Sequence, residues 1–411
     1  MGLWIPGSGR EATVDRWRER RFKGSLSPER RSRSRAPEWL GYLLPGLPQL
    51  LGGRKVEGLG ALLLWLWLVS ILLTRFPRVA ASLGGGVGHG VALLTLSVGL
   101  VGVWTWSFRD LKRDGGGEEP APPGSLAGLW NRYKRNPMAV FGLALVLFFC
   151  LAALLTPFLA SLDPASQPAF QGGEMALRLS PPSSGHPLGT DHLSRDIFTR
   201  ILYGARISLS IGLLAVAISI SLGTVLGAVA GYLGNWVDTV IMRFVDMVLA
   251  FPRVVLLIVL VALFRPSLFL IVAALALTQW PSTTRIVRGE ILALRQREFA
   301  EAARALGFSR PRIIFRHLLP NALAPIIVAA TLGIGNTIVL EAGLSFLGLG
   351  IQPPTPSWGT MVADGRDYLL SAWWIATFPG LAIALVVLGF NLVGDGVRDA
   401  MDPRGEEGRI S

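Results

Sequence analysis

Long apolar stretches of this sequence run without a single Asp, Glu, Lys or Arg, and that clumping restricts the fold more than any other feature. They include 58–74, 79–108, 138–160, 207–232, 254–264, 266–284, 322–340 and 372–393. A membrane-crossing helix needs about 20 mostly apolar residues. Within lipid only a helix or a closed barrel satisfies its own backbone polar groups. Runs of this length and continuity predict an all-α polytopic membrane protein. Overall composition agrees: 51% of the residues are hydrophobic and 16% are charged, where a soluble domain carries about 25% charged residues.

The charges between the runs set the expected orientation. Residues 1–37 hold Arg16, Arg18, Arg20, Arg21, Arg30, Arg31, Arg33 and Arg35 and read as a basic disordered cytoplasmic tail with no cleaved signal. Residues 38–110 form a two-span hairpin with its turn near 84–90, and the Gly/Pro-rich stretch within 111–128 is a linker. The segment 129–203 supplies a span and a polar loop with Asp163, Glu174, Asp191 and Asp196, expected outside. Residues 204–396 carry the remaining spans, and 397–411 is a second cytoplasmic tail. Between 285 and 316 stand eight arginines against Glu290, Glu298 and Glu301, the strongest cytoplasmic mark in the chain. The count is eight spans, two accessory and six core, with both termini inside. The net charge of +12 then belongs to loops facing anionic lipid rather than to a nucleic-acid surface. The single cysteine, Cys150, lies inside an apolar run and excludes an internal disulfide.

One loop on the basic side has a distinctive build. Residues 297–306 are rich in Ala, Glu and Arg, good helix formers. Gly307 is placed to end that helix as a residue of left-handed backbone. Ser309 and Pro311 suit the start of a second short helix over 312–319, with Ile313, Ile314 and Leu318 among arginines, and Pro320 is expected to stop it at the membrane. Two short amphipathic helices joined at a glycine corner suit a groove in a soluble partner.

The pattern Glu301-Ala302-Ala303, Gly307, His317, Leu319-Pro320 resembles the Glu-Ala-Ala loop of ABC importer permeases at every fixed position except His317, where the general pattern has Ile. Peptide-type permeases commonly have His there. Asn131-Arg132-Tyr133-Lys134-Arg135-Asn136-Pro137 looks like the entry segment of the C-type subunit of dipeptide, oligopeptide and nickel permeases. His186-Pro187-Leu188-Gly189-Thr190-Asp191 followed by Ser194-Arg195-Asp196 is similar to that subfamily's external signature, with Ser194 where Gly is usual. The stretches 341–350 and 353–359 also match. The resemblance covers about 130–403. It implies a type I ABC importer transmembrane domain preceded by an accessory hairpin, in a bacterial inner membrane. It also implies a B-type permease partner, two ABC ATPase subunits and an extracytoplasmic solute-binding protein. The loop 301–320 would be the ATPase-coupling element, and the cargo di- or oligopeptides, with nickel chelates or sugars as the alternative.

No Gly-x-x-x-x-Gly-Lys-Ser/Thr phosphate loop occurs, so the chain is expected to be a non-catalytic subunit, with ATP and Mg on the partner ATPases and no cofactor of its own. His89, His186, His192 and His317 have no metal-ligand spacing. A stand-alone secondary transporter expects paired acids at mid-membrane, and a membrane enzyme expects convergent polar groups at one leaflet. Neither is found. Two charges remain. Only residues 254–264 follow Arg253 before the next charge, about 16 Å of helix, so a span must include Arg253, where the resemblance implies a small or neutral residue. Arg253 is read either as a pathway-lining cation or as a side chain snorkelling to the headgroups. Glu341 is expected near the external interface, read as a structural hydrogen-bonding group or, alternatively, as a substrate contact.

Overall fold

The computed structural model describes residues 55–74, 87–113, 126–160, 177–264 and 267–401, together with positions 44, 45, 47, 50 and 164. The terminal tails and most of the linker lie outside these residues. Among the described residues all regular structure is helical apart from one isolated bridge between Thr190 and Asp196. The helices are α1 (Lys55–Thr74), α2 (Val87–Arg113), α3 (Leu126–Tyr133), α4 (Pro137–Leu154), α5 (Thr156–Leu159), α6 (Ile197–Leu233) and α7 (Asn235–Leu249). They continue with α8 (Arg253–Ala262), α9 (Leu268–Leu294), α10 (Glu298–Ala305), α11 (Arg310–Arg312), α12 (Leu323–Phe346), α13 (Trp358–Gly365) and α14 (Trp374–Met401). By length and apolarity, four helical stretches among the described residues can cross a membrane, or five if the bent pair α7–α8 is one span. In α9 the half nearer the arginines carries Gln279, Ser282, Thr283, Thr284 and Arg285, which dilutes its apolar character.

Several boundaries differ from the uncharged runs, for local reasons. α6 starts ten residues before the run at 207, crossing Arg200 and Arg206. Asp196 caps it, accepting the Thr199 backbone N–H at 2.8 Å, and Arg200 is neutralised by Asp191 Oδ2 at 2.7 Å. α4 starts at Pro137 because Asn136 caps it, accepting the backbone N–H groups of Met138 and Ala139, while Pro at the first helical turn loses no intrahelical bond.

Small residues set the helix spacing. Gly223, Gly227 and Gly231 line one face of α6, at i, i+4 and i+8. A Cβ on Gly227 would stand 2.6 Å from the Thr284 carbonyl oxygen, and one on Gly223 2.6 Å from the Thr283 Cβ. The backbones of α6 and α9 therefore touch along this face, as small residues permit in lipid. Gly142 and Gly389 do the same between α4 and α14. Around Trp358, α4, α6, α12 and α14 bury Phe149, Leu209, Ile338 and Val386. The hairpin α1–α2 meets the rest through Leu155 and Phe158, which join Leu68, Ile71, Ala92 and Leu96 in one cluster.

Candidate functional site

At the arginine-rich end of the bundle, α10 stops where the sequence places a glycine corner. Gly307 has φ +72°. The Phe308 N–H donates to the Ala303 carbonyl at 3.2 Å and the Gly307 N–H to the Arg304 carbonyl at 3.0 Å. This pair of bonds is the Schellman arrangement, and it fills two of the carbonyls a helix end leaves open. Ser309 takes the starting position of the next helix without a side-chain capping bond.

The segment after the corner differs from the expected short helix ended by Pro320. From α11 the chain enters a π-turn over Ile313–Leu318, closed by the Leu319 N–H on the Ile314 carbonyl. It then makes a 3₁₀ turn over Leu319–Ala322 and runs on as α12. Pro320 lacks an N–H and its ring crowds the carbonyl four residues back. The wider π-turn and the tighter 3₁₀ turn absorb that conflict, so Pro320 reshapes the helix instead of ending it. Arg310–Phe346 is consequently one helical rod.

The loop has two faces. Ala300, Ala303, Ile313, Ile314 and Leu318 are buried against Ala228 of α6 and Val287, Ile291 and Leu294 of α9. The opposite face shows Glu301, Ala302 and Gly307 together with Leu306, 72% exposed, and Phe315, 48% exposed. Among the described residues Glu301 makes no ion pair or side-chain hydrogen bond, whereas Arg304 ties α10 down by donating to the Arg295 carbonyl at 2.7 Å. Within this chain, a Cβ at Gly307 would meet nothing within 4 Å. His317 stacks on Phe308, centroids 5.5 Å apart, and Arg312 lies over the same ring at 4.3 Å. Leu319 is half-buried and Pro320 exposed.

Arg253 does not sit inside a continuous span. The chain breaks at Ala250–Pro252, α7 and α8 are bent by 81°, and Arg253 is the first residue of α8. The run 254–264 looked too short to span because it is only the second arm of a broken helix. The guanidinium turns into the bundle: Nη2 donates to Gln279 Oε1 at 3.1 Å and Nε approaches Thr278 Oγ1 at 3.5 Å. Thr337 of α12 donates to the same Gln279 oxygen at 2.9 Å. Both contacts of Arg253 are thus to α9, which Thr337 ties to α12 through the same amide oxygen.

Glu341 is fully buried. Its Oε1 accepts from Ser345 Oγ at 2.8 Å and its Oε2 from Ser208 Oγ at 3.3 Å. Ser208 Oγ in turn accepts the Trp358 backbone N–H at 3.2 Å. The carboxylate therefore joins α6, α12 and the start of α13.

Comparison with known proteins places this geometry in a family. Residues 223–406 match the family described as the binding-protein-dependent transport system inner membrane component. Residues 126–182 match the N-terminal TM domain of oligopeptide transport permease C. The dipeptide transport system permease protein DppC of Alkalihalophilus pseudofirmus is 48% identical over 275 residues, 67% of this chain and 88% of that protein. This chain belongs to that permease family. The di/tripeptide transport system permease protein DppC of Pseudomonas aeruginosa is 42% identical to this permease over 288 residues, covering 69% of it and 93% of its relative. Among solved structures, inward-facing MetNI methionine ABC transporter is similar over 49% of the permease and 97% of that chain, with a TM-score of 0.42 and 18% identity.

The permease also holds a polar cluster that its sequence motif only hinted at. Asp191 accepts from Arg195 Nε at 2.6 Å and Arg200 Nη1 at 2.7 Å. Both arginines reach Asp364 of α13 at 3.3 Å through Nη2. His186 meets Asp196 at 2.9 Å. Asp191 and Arg195 stood in the quoted motif, but nothing in sequence linked them to Arg200 or Asp364. Gln279 and Thr337 were missed for the same reason: a neutral polar residue inside an apolar run carries no signal until a charge is seen against it.

Proposed function

We propose that this permease is the C-type subunit of an ATP-driven importer of short peptides, forming half of the translocation pathway. Six core spans follow from taking α4–α5, α6, α7–α8, α9, α12 and α14 as crossings, with α1–α2 as an accessory pair and both termini cytoplasmic. The partners are a B-type permease, two ABC ATPases that carry ATP and Mg, and an extracytoplasmic solute-binding protein. The peptide cargo is supported by the relatives, which are named dipeptide and di/tripeptide transport permeases.

The observation that carries the mechanism is the two-faced loop. Its outer face offers Glu301, Leu306 and Phe315 to a soluble partner, while its inner face is fixed to α6 and α9. Its second half is continuous with α12. When ATP binding closes the ATPases, a push on the loop tilts the rod Arg310–Phe346 together with the helices beneath it. That rocking opens the external mouth to the binding protein, and ATP hydrolysis reverses it. Glu301 serves as a contact for the ATPase and performs no acid–base step, since the exposed loop has no enclosed site for a reacting group.

The complete complex, reconstituted in proteoliposomes with its solute-binding protein, tests this reading. ATP-dependent accumulation of labelled di- or tripeptides is expected. Accumulation that is independent of the ATPases, or confined to nickel chelates or sugars, would contradict it.

A further inference from the structure

Arg253 is a cation at membrane depth with neutral partners. Gln279 lies eleven residues along α9 from Leu268, about 16 Å of helix, and six residues before Arg285, about 9 Å. With α9 taken as a crossing of a hydrocarbon layer about 30 Å thick, the Arg253–Gln279 contact falls inside it. Among the described residues no Asp or Glu pairs with Arg253; its bonds go to an amide and a hydroxyl. Two arginines of α9 are arranged differently: Arg285 holds Asp246 at 2.6 Å and Arg288 holds Asp238 at 2.5 Å and 2.6 Å. A charged side chain inside a bilayer almost always faces the bundle interior or a water-filled cavity, and it marks a substrate or ion pathway by default.

The surroundings say which side it faces. Leu257 and Val261, one and two turns further along α8, are buried against Ile271 and Leu275 of α9. Arg253 begins that same stripe, at the point where the helix break opens it, and it stays half-buried rather than covered. Phe251, Val254 and Val255 beside it are exposed. Gln279 is itself fixed by Thr337 of α12, so the guanidinium is held from behind by one helix whose amide is braced by a second.

We propose that Arg253 lines the translocation pathway and binds the α-carboxylate of a short peptide in transit, with Gln279 and Thr337 as positioning residues. This rests on the reading of the chain as a peptide importer subunit. Every unmodified peptide carries one terminal carboxylate whatever its side chains, so one fixed cation serves cargo of varied sequence. A guanidinium matches a carboxylate through two parallel N–H bonds. Orientation along the path would follow, the carboxyl end meeting α8 while the remainder of the peptide stays toward the partner permease.

The test uses the whole reconstituted complex with Arg253→Gln and Arg253→Lys. Each is given a tripeptide and its C-terminal amide at concentrations that saturate the binding protein. Uptake of the free acid is expected to fall about tenfold or more in Arg253→Gln, the loss of one charged contact, and to recover largely in Arg253→Lys. Uptake of the amide is expected to be low in wild type and unchanged by either substitution, so that the preference for the acid collapses in Arg253→Gln. Equal losses for acid and amide would overturn the proposal in favour of a structural role. So would wild-type uptake of the acid by Arg253→Gln, or loss of the partner permease on purification, which would assign Arg253 to an inter-subunit ion pair. Failure of the wild type to carry either peptide would refute the peptide reading itself.

Discussion

Ser194 holds φ +59° with its side chain buried. A β-carbon in this left-handed region meets the following carbonyl, at about 1–2 kcal/mol. The turn persists because Asp191 accepts the backbone N–H groups of Leu193 and Arg195 at 2.8 Å and 2.9 Å, and because Arg195 and Arg200 clamp the same carboxylate. The usual Gly at this place in the motif has this physical cause. Ser194→Gly is therefore expected to raise the thermal midpoint of the purified permease, by about 1 kcal/mol of stability after the entropy of an added glycine is subtracted. A lowered midpoint would mean that the Ser194 hydroxyl holds something the backbone argument omits. At this scale the sequence conveyed which residues matter, because Gly307, Asp196 and Asn136 act on their own neighbours. It did not convey that Arg200 answers Asp191 and Asp364, since those contacts depend on where α13 packs.

Among the elements, α6 and α9 depend on the closest approach, through Gly223, Gly227 and Gly231. Gly227→Leu would put a side chain where there is no room beside Thr284 and Val287. Separation of the two helices is expected, at about 1–3 kcal/mol or more, with the loop loosened because α6 and α9 form its floor. The check is protease accessibility at 297–310 in membranes; protection equal to wild type would contradict it. The sequence also shows how far local signals reach along an element. The helix–corner–helix of the loop was legible because Ala, Glu, Arg and one Gly decide it within a few residues. The continuation through Pro320 was not, because a proline inside a helix can break it or be absorbed by a π-turn, and packing of Ile313, Ile314 and Leu318 decides which. The bend between α7 and α8 escaped for a similar reason. Pro252 stands at the break, but the 81° turn also places Arg253 against Gln279, twenty-six residues further along the chain, beyond the reach of any local rule.

At the scale of the whole molecule, the family matches begin at residue 126, and the hairpin α1–α2 touches the remainder through a small apolar cluster at α4–α5. Loss of the hairpin uncovers Leu155 and Phe158 to lipid, which is no less apolar than what it replaces. A permease beginning at Gly128 is therefore expected to insert, assemble and transport at a rate near that of the full chain, measured as peptide uptake at matched membrane levels. Abolished uptake at normal levels would give the hairpin a part in transport. In the proposed mechanism the loop at 301–320 is where the ATPases take hold. Glu301→Lys reverses the charge of an exposed side chain that has no partner among the described residues, and Gly307→Asp puts a β-carbon at φ +72° and a carboxylate on the proposed docking face. Neither disturbs the buried side of the loop. The most direct measurement is co-purification of the ATPase subunits with each variant, combined with ATP turnover of the reconstituted complex. The prediction is a permease that inserts and pairs with its partner permease normally but loses most of its bound ATPase and its substrate-stimulated turnover. Full ATPase retention and wild-type turnover in both variants would contradict the account.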